Sequence, residues 1–291
     1  MSICFVTRSS LGEEYLASER LRCDWLMPHL DGVKWWGEDL SQYGAVVYSK
    51  ANPRTAPLPD DPMCRIPRIL DMCDPVWRSD PTAVAVAMSH VDAFTVPTDA
   101  MRAEFFAYMG DFPCHVVRDG HDLGWYPRPP KTGPHYVWFG YSRNYTAQAD
   151  FMMRGVRKNA CIVSDTVVDG IKSHLWGDDR KAFKRISRCK VAVIPFAGTD
   201  RTKSNNRAIS AWAMDLAVAR TPADMDRFQD PVERAEDIAD HEDEVMAHNA
   251  SHAAADMMEA INGVRGQTRS VGGPIPSAPH LNYEQSRIPS P

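Results

Sequence analysis

Short apolar runs rich in β-branched residues alternate with helix-like segments along most of this chain. In its first half, runs at residues 3–6, 45–48 and 94–96 alternate with helical patterns at 13–30, 82–91 and 99–109, the last with Thr98 or Asp99 as its predicted N-cap. Strands that are apolar on both faces and alternate with helices are typical of a parallel sheet covered by helices on both sides. The pattern therefore predicts an α/β fold.

A stretch with four prolines, YPRPPKTGP at residues 126–134, interrupts this alternation near the middle of the chain. Proline lacks the backbone N–H donor and fixes its own φ, so the stretch continues neither a helix nor a strand. The alternation then starts again with runs at 136–139, 160–163 and 191–194. The sequence thus predicts two Rossmann-like domains.

We predict one domain at residues 1–127 and a second at 128–265, which ends in a strongly helical segment. Residues 266–291 are rich in Ser, Pro and Gly and are expected to form a disordered, flexible tail. Open parallel sheets bind ligands at the carboxyl ends of their strands, so the two sheets are expected to face a cleft. The fold alone does not identify the ligand.

Composition and charge narrow the function classes. The net charge of -5 gives the chain no global basic field for nucleic acid or anionic lipid. The first residues are typical of a strand rather than a signal peptide, and no apolar run reaches membrane-spanning length, so we expect no stable membrane insertion. The seven cysteines are scattered without a CxxC pair, which favours a reducing, cytoplasmic location.

The segment DRTKSNNR, residues 200–207, follows an apolar run and opens a helical pattern. A helix N-terminus offers unpaired N–H groups and the positive end of the helix dipole. Lys203 and Arg207 add positive charge, which suits a diphosphate. The alternative is an ordinary capped helix whose basic residues face solvent.

Gly140 follows the predicted strand at 136–139 and allows the backbone to approach a phosphate closely. Ser142, Arg143 and Asn144 lie beside it. A single glycine after a strand is common, so this feature gains weight only from its partner segment at 200–207.

Four segments, in the order in which the family has them, resemble the GT-B glycosyltransferases and are most similar to glycosyltransferase family 4. KSNNRAISAWAMDLAVA at 203–219 resembles the donor-site helix and the strand after it, and VVRDGHDLGWYP at 116–127 resembles the interdomain signature. The other two are 94–102, similar to the strand-to-helix segment before that signature, and 176–195, similar to the segment that flanks the nucleotide base.

The resemblance implies a GT-B fold and transfer of a sugar from a nucleotide-sugar donor to an acceptor hydroxyl, with retention of anomeric configuration. The family's paired glutamates align with Thr202 and Ser210, so neither carboxylate is present. A catalytically inactive nucleotide-sugar-binding protein therefore stays open, as does a sugar epimerase or phosphorylase on the same frame. We see no DxD-type acidic pair beside the donor motif and predict no metal and no cofactor other than the donor substrate.

Site residues follow from this resemblance and from the strand ends. Cations at the departing diphosphate would stabilise the transition state, and a carboxylate after the predicted strand 66–70 could bind the acceptor or act as a base. The alternatives for those aspartates and for the loop histidine are structural roles. The predicted catalytic residues are Asp71, Asp74, His121, Lys203 and Arg207. The predicted donor-binding residues are Gly140, Ser142, Arg143, Asn144, Trp176, Lys203, Ser204, Asn205, Asn206 and Arg207, and the predicted acceptor-binding residues are Arg8, Gly12 and Arg20.

The acceptor class stays open at this level. The family's commonest implication is a glycan or a lipid-linked glycan, while a small molecule and a modified DNA base are alternatives. The net acidity of the chain counts against DNA. The sequence does not indicate an oligomeric state.

Overall fold

The computed structural model of the chain describes residues 2–13, 15–51, 53, 66–195 and 205–265. These residues form two compact units. Within the described part, the first unit comprises residues up to Gly120 together with the segment from Ala250, and the second comprises the residues between His121 and Asn249.

Eleven strands and eleven α-helices are found in the described ranges. The strands are β1 (Ile3–Thr7), β2 (Gly32–Lys34), β3 (Ala45–Ser49), β4 (Arg68–Asp71), β5 (Ala93–Val96), β6 (Cys114–Val116), β7 (Tyr136–Gly140), β8 (Ala160–Ser164), β9 (Lys172–Leu175), β10 (Val191–Val193) and β11 (Ala217–Ala219). The helices are α1 (Ala17–Glu19), α2 (Met27–Leu30), α3 (Pro81–Met88), α4 (Asp99–Met109), α5 (Ala147–Gly155), α6 (Asp179–Ile186), α7 (Asn206–Ala213), α8 (Pro222–Arg227), α9 (Pro231–Asp240), α10 (Glu242–Ala247) and α11 (Ala250–Val264).

The first unit contains a six-stranded sheet in the order β2-β1-β3-β4-β5-β6. All its pairings are parallel, as between β1 and β3, where Ile3 lies opposite Ala45 and Thr7 opposite Ser49. Every residue of β1 and β3 is buried, because helices cover both faces of a parallel sheet. The predicted α/β fold is confirmed here.

Helix α11 belongs to the first unit, whereas the sequence placed residues up to 265 in the second. Ala253, Met257 and Ile261 of α11 are buried in one cluster with Ile3 and Phe5 of β1. Small alanine side chains let the helix approach the sheet closely. The segment therefore returns to the first sheet because its apolar face matches that surface.

The expected single helix over residues 13–30 is broken. Helix α1 passes into a π-helical turn, Arg20–Asp24, and α2 starts afresh with Pro28 in its first turn. Proline is tolerated there because a first-turn residue has no intrahelical acceptor for its N–H. The π turn buries Arg22 and directs it into the unit.

The second unit contains a five-stranded sheet in the order β11-β10-β7-β8-β9, again with parallel pairings throughout. After β9 the chain crosses back to place β10 on the other side of β7. The order of strands therefore reverses between β7 and β10. In open α/β sheets the crevice at such a switch point, beyond the carboxyl ends of the strands, is where ligands bind.

The proline-rich segment packs within the second unit. Lys131 donates through Nζ to the carbonyl oxygens of Ser187 at 2.9 Å and Met214 at 2.6 Å, which follow the last turns of α6 and α7. Arg128 Nε donates to the carbonyl oxygen of Ala213 at 2.9 Å. Cations at helix C-termini satisfy otherwise unpaired carbonyl groups and favour the helix dipole. The change between units thus falls at Gly120, before the prolines, rather than at residue 127.

None of the helices in the described ranges has both the length and the apolar composition needed to cross a bilayer.

Candidate functional site

The switch point of the second unit brings Gly140 and Arg207 together. Gly140 ends β7, and Arg207 lies in the first turn of α7, which follows β10 along the chain. Gly140 has a φ of 138°, a conformation that L side chains rarely adopt. A Cβ built at Gly140 would lie 3.4 Å from Cδ and 3.6 Å from Nη1 of Arg207. The positive φ therefore favours glycine at position 140, and the backbone there lies beside the Arg207 side chain.

Two buried donors at this point have no hydrogen-bond partner among the residues that the structure describes. They are Nη1 of Arg207 and Nε1 of Trp138. The guanidinium carbon lies 5.7 Å from the Trp138 ring centroid, and burial lowers the pKa of Arg207. A charged group held in such surroundings is costly unless it is paired. An anion beside Arg207 would satisfy its Nη1 donor.

The start of α7 lacks a side-chain cap within the described residues. Asn205, at the N-cap position, makes no capping bond, and its Nδ2 donates instead to Glu244 Oε1 at 3.3 Å. Helices α5, α6 and α9 of the same unit each have a side-chain cap, from Thr146, Asp178 and Asp230 respectively. The first-turn N–H groups of α7 are therefore suited to an anionic ligand rather than to the chain's own side chain. The predicted donor residues Lys203 and Ser204 lie outside the described residues.

The three predicted donor-binding residues after Gly140 differ in their contacts and exposure. The backbone N–H and the hydroxyl of Ser142 both donate to Asp165, at 2.5 and 3.1 Å, and these bonds lower the pKa of Asp165. Arg143 is exposed, with its guanidinium carbon 5.5 Å from the Tyr141 ring, and Asn144 is exposed in the same short turn. Ser142 thus fixes the loop, while Arg143 and Asn144 reach solvent at the carboxyl edge of the sheet.

Trp176 lies directly after β9 at this edge. Its Nε1 donates to Asp179 Oδ1 at 2.8 Å, and its ring meets Phe183 edge-on at a centroid distance of 5.3 Å. The indole is half-buried. It is held at one edge and leaves ring surface for stacking, as the sequence predicts for a nucleotide base.

His121 is fully buried and links two parts of the second unit. Its Nδ1 lies 2.6 Å from the hydroxyl oxygen of Tyr126, and its Nε2 lies 3.4 Å from Asn206 Oδ1. The Tyr126 hydroxyl continues the series to Ser210 Oγ at 3.0 Å. His121 and Asn206 are therefore brought together as predicted site residues, but through a hydrogen bond to each other rather than through exposure of the imidazole.

Asp71, in the first unit, lies in a buried ion-pair cluster. Arg22 Nε donates to both of its carboxylate oxygens, at 2.9 and 2.8 Å, and Ser49 and Thr95 donate at 3.1 and 2.6 Å. Arg22 also pairs with Asp119 at 2.8 Å. Both members of the Arg22–Asp71 pair have side chains only 1% exposed. A role for Asp71 as base or acceptor ligand would require this cluster to open.

Asp74 reaches solvent, with its side chain 48% exposed. Lys50 Nζ lies 2.7 Å from Asp74 Oδ2, and Lys50 itself has a left-handed backbone conformation with a φ of 51°. The pair places a lysine and a carboxylate together at the carboxyl edge of the first sheet. Lys50 was not predicted from the sequence, because its only signal is its position directly after β3.

The predicted acceptor residues lie around the end of β1 and the turn after it. Arg8 pairs with Glu13 at 2.6 Å, and Gly12 has a φ of 81° where a short 3-10 turn ends. Arg20 is buried, with its guanidinium carbon 5.2 Å from the Trp25 ring. Arg8 is thus the cation of this group that meets solvent.

Glu19 is a second buried carboxylate that sequence analysis missed. It accepts hydrogen bonds from Thr7 at 3.0 Å and from Lys34 at 2.7 Å, and Ser9 Oγ also donates to it. Burial alone would raise the pKa of Glu19, but the bonds from Lys34 and Ser9 outweigh it and lower the pKa. The three hydrogen-bond partners of Glu19 lie ten or more positions from it along the chain, so no local sequence pattern predicts these contacts.

The described residues contain no group of three or more His, Cys, Asp or Glu side chains placed to hold a metal ion.

Comparison with known proteins finds similarity in structure alone. No protein-family model matches the chain, and no curated protein matches its sequence. The structure of a mutant of S. aureus TarM, in complex with fondaparinux, alpha-GlcNAc-glycerol and UDP, is similar with a TM-score of 0.55 at 11% identity, over 77% of this chain and 56% of that chain.

Two further similar structures are a GtfA/B complex and a putative UDP-N-acetylglucosamine 2-epimerase from Listeria monocytogenes. The first has a TM-score of 0.48 at 10% identity, over 77% of this chain and 58% of that one. The second has a TM-score of 0.42 at 9% identity, over 90% and 96%. The chain spans a little over half the length of the TarM and GtfA/B chains. The likeness to TarM shows that the two parallel α/β units have the GT-B fold; the resemblance to glycosyltransferase family 4 stays a prediction.

Proposed function

We propose that this protein is a glycosyltransferase that takes its sugar from a nucleotide-sugar donor, and that the diphosphate of the donor binds at Gly140 and Arg207. The observation that carries the proposal is the buried Nη1 of the Arg207 guanidinium, which has no hydrogen-bond partner within the described residues. It lies at the switch point of the sheet, where α/β folds bind nucleotides. The GT-B fold and the UDP in the similar TarM structure support the same interpretation.

The chemistry follows from the position of this cation. Cleavage of the sugar–phosphate bond leaves a nucleoside diphosphate that gains negative charge in the transition state. A fixed guanidinium with a buried Nη1 and the first-turn N–H groups of α7 would stabilise that developing charge without reorganisation. Arg207 thereby acts on the leaving group, with Lys203 as a proposed second cation.

Two finer points belong to the same proposal. Because protein cations neutralise the leaving group, transfer would need no divalent ion. Retention of anomeric configuration would require no strong protein base, since the leaving phosphate can accept the proton of the acceptor. We take a glycan hydroxyl as the acceptor.

The test is nucleoside diphosphate binding by calorimetry, with a panel of UDP, GDP, ADP, CDP and dTDP. We expect one of these to bind the wild-type protein, and Arg207→Ala to weaken that binding by roughly tenfold to a hundredfold, since charged hydrogen bonds contribute about 1.5–3 kcal/mol. Addition of EDTA should leave binding and transfer unchanged.

Arg227→Ala is the matched control. Arg227 also lies over an aromatic ring, Phe228, at 4.7 Å, but its side chain is 50% exposed and pairs with Glu233 at 3.2 Å. Its loss should not change nucleotide affinity. Equal effects of the two substitutions, or no binding of any diphosphate to the wild-type protein, would refute the proposed site.

A binding protein without catalysis is the second candidate, and two observations favour it. Asp71 is held in the buried cluster with Arg22, and Ser210 stands where the resembling family has a glutamate. A radiolabelled donor separates the two functions. If the donor binds tightly but is neither transferred to an acceptor nor slowly hydrolysed, the protein is a non-catalytic binding protein.

A further inference from the structure

The hydrogen-bond series through His121 has a defined direction. Asn206 Oδ1 only accepts, so the proton of the neutral imidazole lies on Nε2, which donates to it. Nδ1 is then an acceptor and receives the hydroxyl proton of Tyr126 at 2.6 Å. The Tyr126 oxygen in turn accepts from Ser210 at 3.0 Å. Each group therefore fixes the orientation of the next, from Ser210 through Tyr126 and His121 to Asn206.

Asn206 is the first residue of α7 and the immediate neighbour of Arg207. A hydrogen bond to its Oδ1 restricts rotation of the side-chain amide and thus sets the position of the Nδ2–H donors. The imidazole cannot itself reach a ligand, since His121 is 0% exposed. The backbone of His121 is also held in place, because its N–H donates to the carbonyl oxygen of His248 at 2.7 Å.

We propose that His121 is a positioning residue for the donor site: its Nε2–H holds Asn206 so that Asn206 and Arg207 together present donors to the diphosphate. This inference rests on the proposed function of that site. This role differs from the direct catalytic role that the sequence predicts for His121. The hydrogen bond to Asn206 raises the affinity for the diphosphate through preorganisation, since a side chain that is ordered before binding loses less entropy when the ligand binds.

The decisive experiment is a double-mutant cycle on affinity for the tightest-binding member of the diphosphate panel. His121→Phe should weaken binding about tenfold, in line with one lost hydrogen bond. Asn206→Ala should weaken it by at least as much. In the Asn206→Ala background, His121→Phe should have no further effect, because its action passes through Asn206.

Two variants guard against a general folding defect. His121→Gln supplies an amide N–H near the position of Nε2 and should restore most of the affinity lost in His121→Phe. Tyr126→Phe removes the hydroxyl that holds Nδ1, and we expect a loss of about threefold that also vanishes in the Asn206→Ala background. If His121→Phe does not fold, Tyr126→Phe, measured alone and in the Asn206→Ala background, takes its place in the double-mutant cycle.

His135→Phe is the control for loss of a buried histidine in the same unit. His135 is 7% exposed and its Nε2 lies 3.1 Å from the carbonyl oxygen of Phe228, outside the proposed site. The His135→Phe substitution should lower the midpoint of thermal unfolding without changing the affinity for the diphosphate. The inference is wrong if His121→Phe and Asn206→Ala are additive, or if His121→Phe leaves affinity intact while Arg207→Ala weakens it. An Arg207→Ala variant with unchanged affinity would instead overturn the proposed function, and the inference with it.

Discussion

Replacement of Asp71 by Asn separates a structural from a catalytic role for this carboxylate. The buried Asp71 balances the charge of Arg22, and the other carboxylate paired with Arg22 in the described residues is Asp119. Breaking a buried ion pair costs about 3–5 kcal/mol because the remaining charge stays in low dielectric. Asn keeps one acceptor oxygen, so we expect a loss near the lower end, about 3 kcal/mol.

The assay is urea unfolding, combined with hydrogen exchange on peptides that cover β4 and β5. With an m-value of about 2 kcal/mol/M, a loss of about 3 kcal/mol lowers the urea midpoint by about 1.5 M. Hydrogen exchange assigns the change to the first unit, which matters because two units need not unfold in one step.

Asp74→Asn is the matched control, three positions along the same chain segment. Its side chain is 48% exposed and pairs with Lys50 at 2.7 Å. Pairs of this kind contribute about 0–1 kcal/mol, so the midpoint should shift by about 0.5 M or less at an m-value of about 2 kcal/mol/M. If Asp71→Asn unfolds like Asp74→Asn and yet abolishes sugar transfer, the carboxylate is catalytic and the structural reasoning is refuted.

Two further perturbations follow from the same geometry. Gly140→Ala places a side chain at a φ of 138° and 3.6 Å from Arg207 Nη1; calorimetry should show weaker diphosphate binding, and unfolding a loss of about 1–3 kcal/mol from backbone strain. Gly155→Ala meets open space and should do neither, so equal behaviour of the two variants would contradict this account. Because the pKa of Glu19 is lowered on folding, its contribution to stability is complete above the ordinary Glu value and is lost as the pH falls through the folded pKa. The urea midpoint of Glu19→Gln should therefore fall less steeply with acid than that of the wild type, and parallel slopes would show that Glu19 does not carry this effect.

The fold could be predicted where the determinants are local. An apolar run such as 217–219 specifies a buried strand by itself, and the structure has β11 at those residues. Thr98 or Asp99 was predicted to cap the helix at 99–109, and the structure has Thr98 in this role, with its side chain accepting the N–H of Met101. The three-residue edge strand β2 was missed because none of its residues is buried, so it carries no continuous apolar run.

The buried cluster of the first unit could not be predicted because its members are far apart in the chain. Arg22 is separated from Asp71 by 49 positions and from Asp119 by 97. Seen in sequence alone, Arg22 lies on a helical segment, where arginines usually form exposed ion pairs. Only the π turn at Arg20–Asp24 directs it inward, and a π turn has no sequence signature that distinguishes it from an ordinary helix.

The missing family glutamate at position 210 shows how a local departure is absorbed by tertiary structure. Ser210 is 6% exposed, and its hydroxyl bonds to Tyr126, which the resemblance singled out separately as part of the interdomain signature. A carboxylate in this place would be buried against Tyr126 and would need a cation or a second donor to remain charged. A hydroxyl needs neither. The small side chain thus leaves room for Tyr126 to contact His121, and Ser210 belongs to the same hydrogen-bonded series as His121.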